Sequence, residues 1–116
     1  MGKWTGNMPT VLLNDRQIHP IEFSKWRDAQ RQFARCDKDR ETVEKYKQEI
    51  QTRGLREPIL LGVSDRDMAV YVGDGHHRAV ALIDLGVPKF RFRWYWIKSF
   101  GVRMEREPFP YHLLGL

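Results

Sequence analysis

The run "KFRFRWYWI" at residues 89–97 alternates without a break. Phe90, Phe92, Trp94 and Trp96 fall on one side; Lys89, Arg91, Arg93 and Tyr95 fall on the other. Successive side chains of a strand point to opposite faces, so this is a strand with one dry side and one wet side. Such a strand needs partner strands and a cover for its apolar face. The sequence offers both. "PILLGV" (residues 58–63) and "MAVYVG" (residues 68–73) are short, apolar and β-prone, and the polar "SDRD" joins them, as a turn joins adjacent strands of a half-buried sheet. "TVLL" (residues 10–13), closed by "NDR", predicts a further strand.

The cover is helical. Across residues 21–36 the spacing of Trp26, Ala29 and Phe33 predicts an amphipathic helix. Across residues 37–54, Val43, Tyr46 and Ile50 share a face, acids lead the first turn, and Gly54 marks the end. "HHRAVALIDLGVP" gives a third helix from His76, with Ala79, Val80, Leu82 and Ile83 as its apolar face and Gly86 and Pro88 as its stops. The order strand, helix, helix, strand, strand, helix, strand predicts an α+β fold, one small mixed sheet packed with helices, and not a doubly wound domain. "EREPFPYHLLGL" (residues 105–116) is expected to be irregular, with its leucines docked on the domain or on a partner.

At 116 residues the chain is expected to be a single domain, 1–116. No apolar run is long enough to span a bilayer, so no membrane partner is expected. "MGKWTGNMPT" lacks the apolar segment of a secretory signal, and the single Cys36 excludes an internal disulfide or a multi-cysteine zinc site. Both point to a reducing, cytoplasmic setting. The net charge of +5 favours polyanions such as DNA, RNA or nucleotides. The wet side of the aromatic strand makes Arg91 and Arg93 candidate nucleic-acid contacts, against the alternative of a merely solvated face. A homodimer is the default expectation for quaternary structure.

The chemistry concentrates in "YVGDGHHRAVAL" (residues 71–82), where a strand meets a helix. The first N–H groups of a helix have no internal acceptor and carry the positive end of its dipole, and glycines let a ligand approach the backbone. That geometry invites an anion, phosphate above all. Arg78 adds a cationic fork; His76 and His77 can donate to phosphate or move protons near neutral pH. Asp74 is then explained as a ligand of magnesium or as a base toward a hydroxyl or water, unless it only caps the helix. The loop is not a P-loop, since it lacks the Gly-Lys-Ser/Thr ending. Adjacent helical histidines diverge by about 100°, so His76 and His77 do not share a metal.

The run from Val43 to Trp96, with "GLREPI", "YVGDGHHRAVA" and "LGVPKFRF" in order, resembles the ParB/sulfiredoxin superfamily in its ParB N-terminal-like form. The match is best over residues 43–97, with 98–116 as an extension. The resemblance implies a nucleoside triphosphate (ATP or CTP) with Mg2+ as cofactor. Its phosphates would lie on Gly75, His76, His77 and Arg78, with Glu57 and Pro58 near the base or sugar. Partition proteins of this group carry a glutamate and paired arginines at the junction, followed by a helix-turn-helix domain. Here "GDGHHR" and the short remaining chain argue against centromere binding. Sulfiredoxins have their reactive cysteine just before the His-Arg pair. Here that position is His76 and Cys36 lies elsewhere, so sulfinic acid repair is not expected. The "DGHHR" form is similar to the free-serine kinase branch, where an early glutamate is the base; Glu22 in "HPIEF" is the matching candidate. The catalytic candidates are therefore Asp74, His76 and Glu22, with Asp74 also the candidate metal ligand. Three readings follow: a nucleotide-binding domain acting on or near DNA as a nuclease or NTPase, a small-molecule kinase or NTP hydrolase, and a non-catalytic interaction module.

Overall fold

The computed structural model describes residues 5–97 and 109–116. Its strands are β1 (Thr5–Pro9), β2 (Ile18–Pro20), β3 (Ile59–Ser64), β4 (Ala69–Asp74) and β5 (Lys89–Trp96). Its helices are α1 (Trp26–Arg35), α2 (Asp37–Arg53) and α3 (His76–Leu85). The strands form one mixed sheet in the order β1-β5-β3-β4-β2. β1 runs antiparallel to β5 and β3 antiparallel to β4, while β3–β5 and β2–β4 are parallel. This is the expected α+β architecture.

The alternation of β5 is realised through Tyr95, with Trp96 half-buried at its end. Phe90, Phe92 and Trp94 are buried, while Lys89, Arg91, Arg93 and Tyr95 are exposed. Register places Ile59, Leu61 and Val63 of β3 beside that aromatic side, and Val70 and Val72 of β4 beyond them. The helices bury Trp26, Ala29 and Phe33 (α1), Val43 and Ile50 (α2), and Ala79, Val80, Ala81 and Leu82 (α3) in the same core. Burying a large apolar side chain stabilises the fold by about 1.5–3 kcal/mol, so this shared core outweighs the polar ties between helices. Those ties are nevertheless specific: Asp84 of α3 accepts from Gln30 of α1 at 3.0 Å and pairs with Lys47 of α2 at 3.3 Å. α2 and α3 end at Gly54 and Gly86, where the stop signals predict.

Two expectations are corrected, and one strand is unforeseen. Residues 10–13 are not a strand, because Thr10–Leu12 form a 3-10 turn; the first strand is "TGNMP" just before it. The reason is tertiary. Gly6 lies opposite Phe92, and a Cβ there would come within 3.0 Å of the Phe92 ring, so the glycine admits the aromatic face of β5. β2 has only three residues, one a proline, and escapes pattern recognition; its parallel pairing with β4 holds it. α1 begins at Trp26 rather than at Ile21. Residues 21–25 are a loop anchored at both ends, by Ile21 N–H to Val72 O (3.3 Å) and by Trp26 N–H to Asp15 Oδ1 (2.8 Å). The Trp26 indole N–H also donates to Ile18 O at 2.9 Å.

Of the C-terminal extension, residues 98–108 lie outside the described residues. Beyond them Phe109 packs edge-on against Phe92 and Trp94, Tyr111–Leu114 form a 3-10 turn, and Leu114 is buried. These residues close the chain's own core. Among the described residues no helix is long and apolar enough to cross a membrane.

Candidate functional site

Between β4 and α3 lies a single residue, Gly75. The β3–β4 register shifts between Leu60 and Leu61, so Asp74, the last residue of β4, pairs with Leu60 across an irregularity in the ladder. Gly75 has φ 102°, and a Cβ on it would lie 2.7 Å from Arg78 Nη2. The guanidinium therefore folds back over the backbone of the junction, and only glycine permits both the turn and the approach. No side chain caps the start of α3 and its first turn holds no acid. The dipole and the leading N–H groups of the helix are left for an external anion.

Around this junction is a cleft of about 280 Å³, lined by residues 73–78, by Glu22 from the β2–α1 loop and by Thr42 and Tyr46 from α2. Arg78, only 7% exposed, is its central cation. Its Nη1 donates to Glu57 Oε2 at 3.3 Å, its Nη2 lies 3.7 Å from Asp74 Oδ2, and its Cζ is 5.8 Å from the Tyr46 ring centroid. Its Nε is buried without a hydrogen-bond partner. Both carboxylate partners are 76% exposed. Wet pairs of that kind contribute about 0–1 kcal/mol, whereas withdrawing an ion from water costs several kcal/mol. Arg78 is thus a buried cation whose two carboxylate partners stay in water.

His76 is 6% exposed, packed near the rings of Phe23 and Trp26, and its Nε2 is also buried without a partner. Burial pushes its pKa below the ordinary histidine value, and the Glu22 carboxylate opposes part of that shift. The ring is therefore neutral at pH 7. His77 is held differently: it stacks on Phe33 at 4.1 Å with a 10° interplanar angle, and its Nε2 shares a 3.0 Å hydrogen bond with Asp39 Oδ1. That bond holds the Asp39 carboxyl below its usual range.

The fold brings together most of the predicted site. Glu22, Asp74, Gly75, His76, His77 and Arg78 border one cleft, and Glu57 joins it through Arg78. Pro58 does not: it lines a separate pocket of about 170 Å³ with Arg91 and Arg93. Those arginines stand exposed on the wet side of β5 and form no ion pair with a described residue. Among the described residues no three His, Cys, Asp or Glu side chains converge as a metal site by themselves. Sequence reading missed Phe33, Asp39, Thr42 and Tyr46. Asp39 looks there like one more first-turn acid of α2, and only the packing of α1 and α2 against α3 turns it toward His77.

No family model matches the chain, and no curated protein does. Among solved structures, the crystal structure of sulfiredoxin from Arabidopsis thaliana aligns with a TM-score of 0.53. The alignment covers 79% of this chain and 84% of that one, at 21% identity. The fold is sulfiredoxin-like. At that identity the likeness concerns architecture, so activity has to be argued from the cleft.

Proposed function

We propose that this sulfiredoxin-like domain binds a nucleoside triphosphate, with its phosphates at the N-terminus of α3. One observation carries the reading: two side chains more than nine-tenths buried, His76 and Arg78, each have an unpartnered nitrogen beside an uncapped helix start. Phosphate supplies acceptors for the helix N–H groups and for Arg78, whose planar fork suits it. Glu57 and Asp74 are the anions it replaces. A magnesium ion carried by the nucleotide needs only one or two protein carboxylates when phosphates complete its shell, and Asp74 borders the cleft to provide one. The ion would supply further neutralisation of phosphate charge.

The cleft also suits phosphoryl transfer to water or to a small hydroxyl compound. Arg78 and the helix start hold and neutralise the phosphoryl group, which is most of what such a reaction asks of a protein. Glu22 is exposed and free to accept the proton of the attacking hydroxyl, with neutral His76 beside it as the next proton acceptor. The part of the reading that concerns DNA rests on Lys89, Arg91 and Arg93, exposed in alternation on β5.

Calorimetric titration of ATP, CTP and GTP with magnesium against wild type and Arg78→Ala is the decisive experiment. Binding of at least one nucleotide, lost in Arg78→Ala, is expected; equal binding by both proteins overturns the site. Phosphate and phosphoserine release on incubation with ATP and serine then separates an enzyme from a binding domain, with Glu22→Gln expected to abolish turnover and leave binding. For DNA, affinity has to be strongest at low salt and weaken in Arg91→Ala.

A further inference from the structure

β1 accompanies β5 from Lys89 to Arg93, but β3 joins β5 only from Phe92 onward. Lys89, Phe90 and Arg91 therefore have a strand on one side only. The space beside them, bounded across the gap by the end of α2 and by Gly54 and Leu55, is a basin of about 440 Å³. Its walls are apolar: Ile50, Leu55, Leu82, Leu85, Val87 and Phe90. At its polar end Asn7 and Arg91 also line the smaller pocket of about 170 Å³ that holds Arg93, so the two cavities adjoin. No described residue lining either cavity is acidic. Lys89, Arg91 and Arg93 form no ion pair with any described residue. Neither cavity shares a lining residue with the cleft at α3.

We propose that this basin is a binding site for a small amphipathic anion, its apolar chain or ring among the half-buried Leu55, Leu85 and Val87 and its carboxylate or phosphate head on Arg91 and Arg93. The volume falls within the roughly 300–1,000 Å³ typical of small-molecule sites. Both halves of the ligand are required by the lining. A neutral apolar molecule leaves the guanidinium forks unused, and a bare anion leaves the apolar wall wet. A polyanionic strand contacts the arginines but has nothing to place in the basin.

The test uses the full chain and four probes below their micellar concentrations: decanoate, decyl phosphate, decanol and inorganic phosphate. Decanoate and decyl phosphate are expected to bind, with decanol and inorganic phosphate at least about tenfold weaker, a difference of roughly 1.4 kcal/mol. The preference between the two anionic probes identifies the head group. Arg91→Ala is expected to weaken both anions about tenfold. Val87→Asp, at a half-buried position, is expected to abolish binding while the folded protein still titrates ATP as the wild type does. If that variant does not fold, Leu55→Glu on the loop makes the same test. Arg78→Ala is expected to leave probe binding intact, which keeps this proposal separate from the nucleotide reading. Equal affinity for decanol and decanoate overturns it, as does indifference to Arg91→Ala. A short DNA duplex that displaces the probes with the same Arg91 dependence also overturns it, and assigns the arginines to a nucleic-acid surface.

Discussion

The cleft at the start of α3 and the basin beside the start of β5 are built on opposite principles. In the cleft the cation is buried and its carboxylates are wet; in the basin the cations are wet and the apolar walls are sheltered. A buried guanidinium is held in one place by Tyr46, by the backbone of Gly75 and by the helix that carries it, so it selects by geometry. Exposed arginines on a strand keep their rotamer freedom and select by charge, leaving shape to the apolar wall. Substitution of Arg78 or of the glycine under it should therefore disturb folding and binding together, and substitution of the arginines at the basin rim should disturb binding alone.

The sharpest break is at Gly75. Gly75→Ala adds left-handed strain and drives a Cβ into Arg78, so a loss of about 2–3 kcal/mol is expected, together with loss of nucleotide binding. Gly86→Ala is the control: it shares the left-handed backbone but has nothing within 4 Å, so a loss of about 1 kcal/mol with binding retained is expected. Denaturant melts and calorimetry read both. Next comes Arg78→Ala against Arg91→Ala. The first should lose about 1–2 kcal/mol through its packing on Tyr46, and the second should stay within about 0.5 kcal/mol of wild type.

A pH series sharpens the contrast further. The folded pKa of His76 is lowered from 6.5, so the unfolded chain binds more protons as pH falls. Its contribution to stability is complete above the unfolded value and is lost as pH falls through the folded one. Melting temperatures measured between about pH 7.5 and 5 should drop for wild type, and His76→Phe should flatten that part of the profile. The smallest effect expected is at Glu57. Glu57→Gln removes a wet competitor for Arg78, and nucleotide affinity should rise by up to about fivefold, since such a pair is worth at most about 1 kcal/mol.

Much of this was legible in the sequence where a local rule and the tertiary structure agree. The alternation of β5, the faces of α1 and α2, and the strand–glycine–helix junction all follow from periodicity and stop signals. Where pairing overrides propensity, reading failed. "TVLL" has the better β composition, yet "TGNMP" is the strand because Gly6 fits against Phe92. The same division holds for the site. The junction residues are contiguous and visible, while Tyr46 reaches the cleft, and Asp39 and Phe33 reach His77, from helices whose arrangement no local pattern encodes. Glu57 and Asp74 look scattered along the chain and meet on one guanidinium only because β3 follows its loop directly into the sheet.

The loop that carries Glu22 is fastened at both ends, by Ile21 to β4 and by the backbone of Trp26 to Asp15. Such a segment behaves as an interchangeable cassette. Its exposed Glu22, Ser24 and Lys25 can be rewritten without moving the strand before it or the helix after it, while Phe23 stays packed on Phe33 and His76. The acid at the mouth of the cleft is therefore the cheapest part of this molecule to vary, and the natural place to begin retuning what the domain does with whatever it holds.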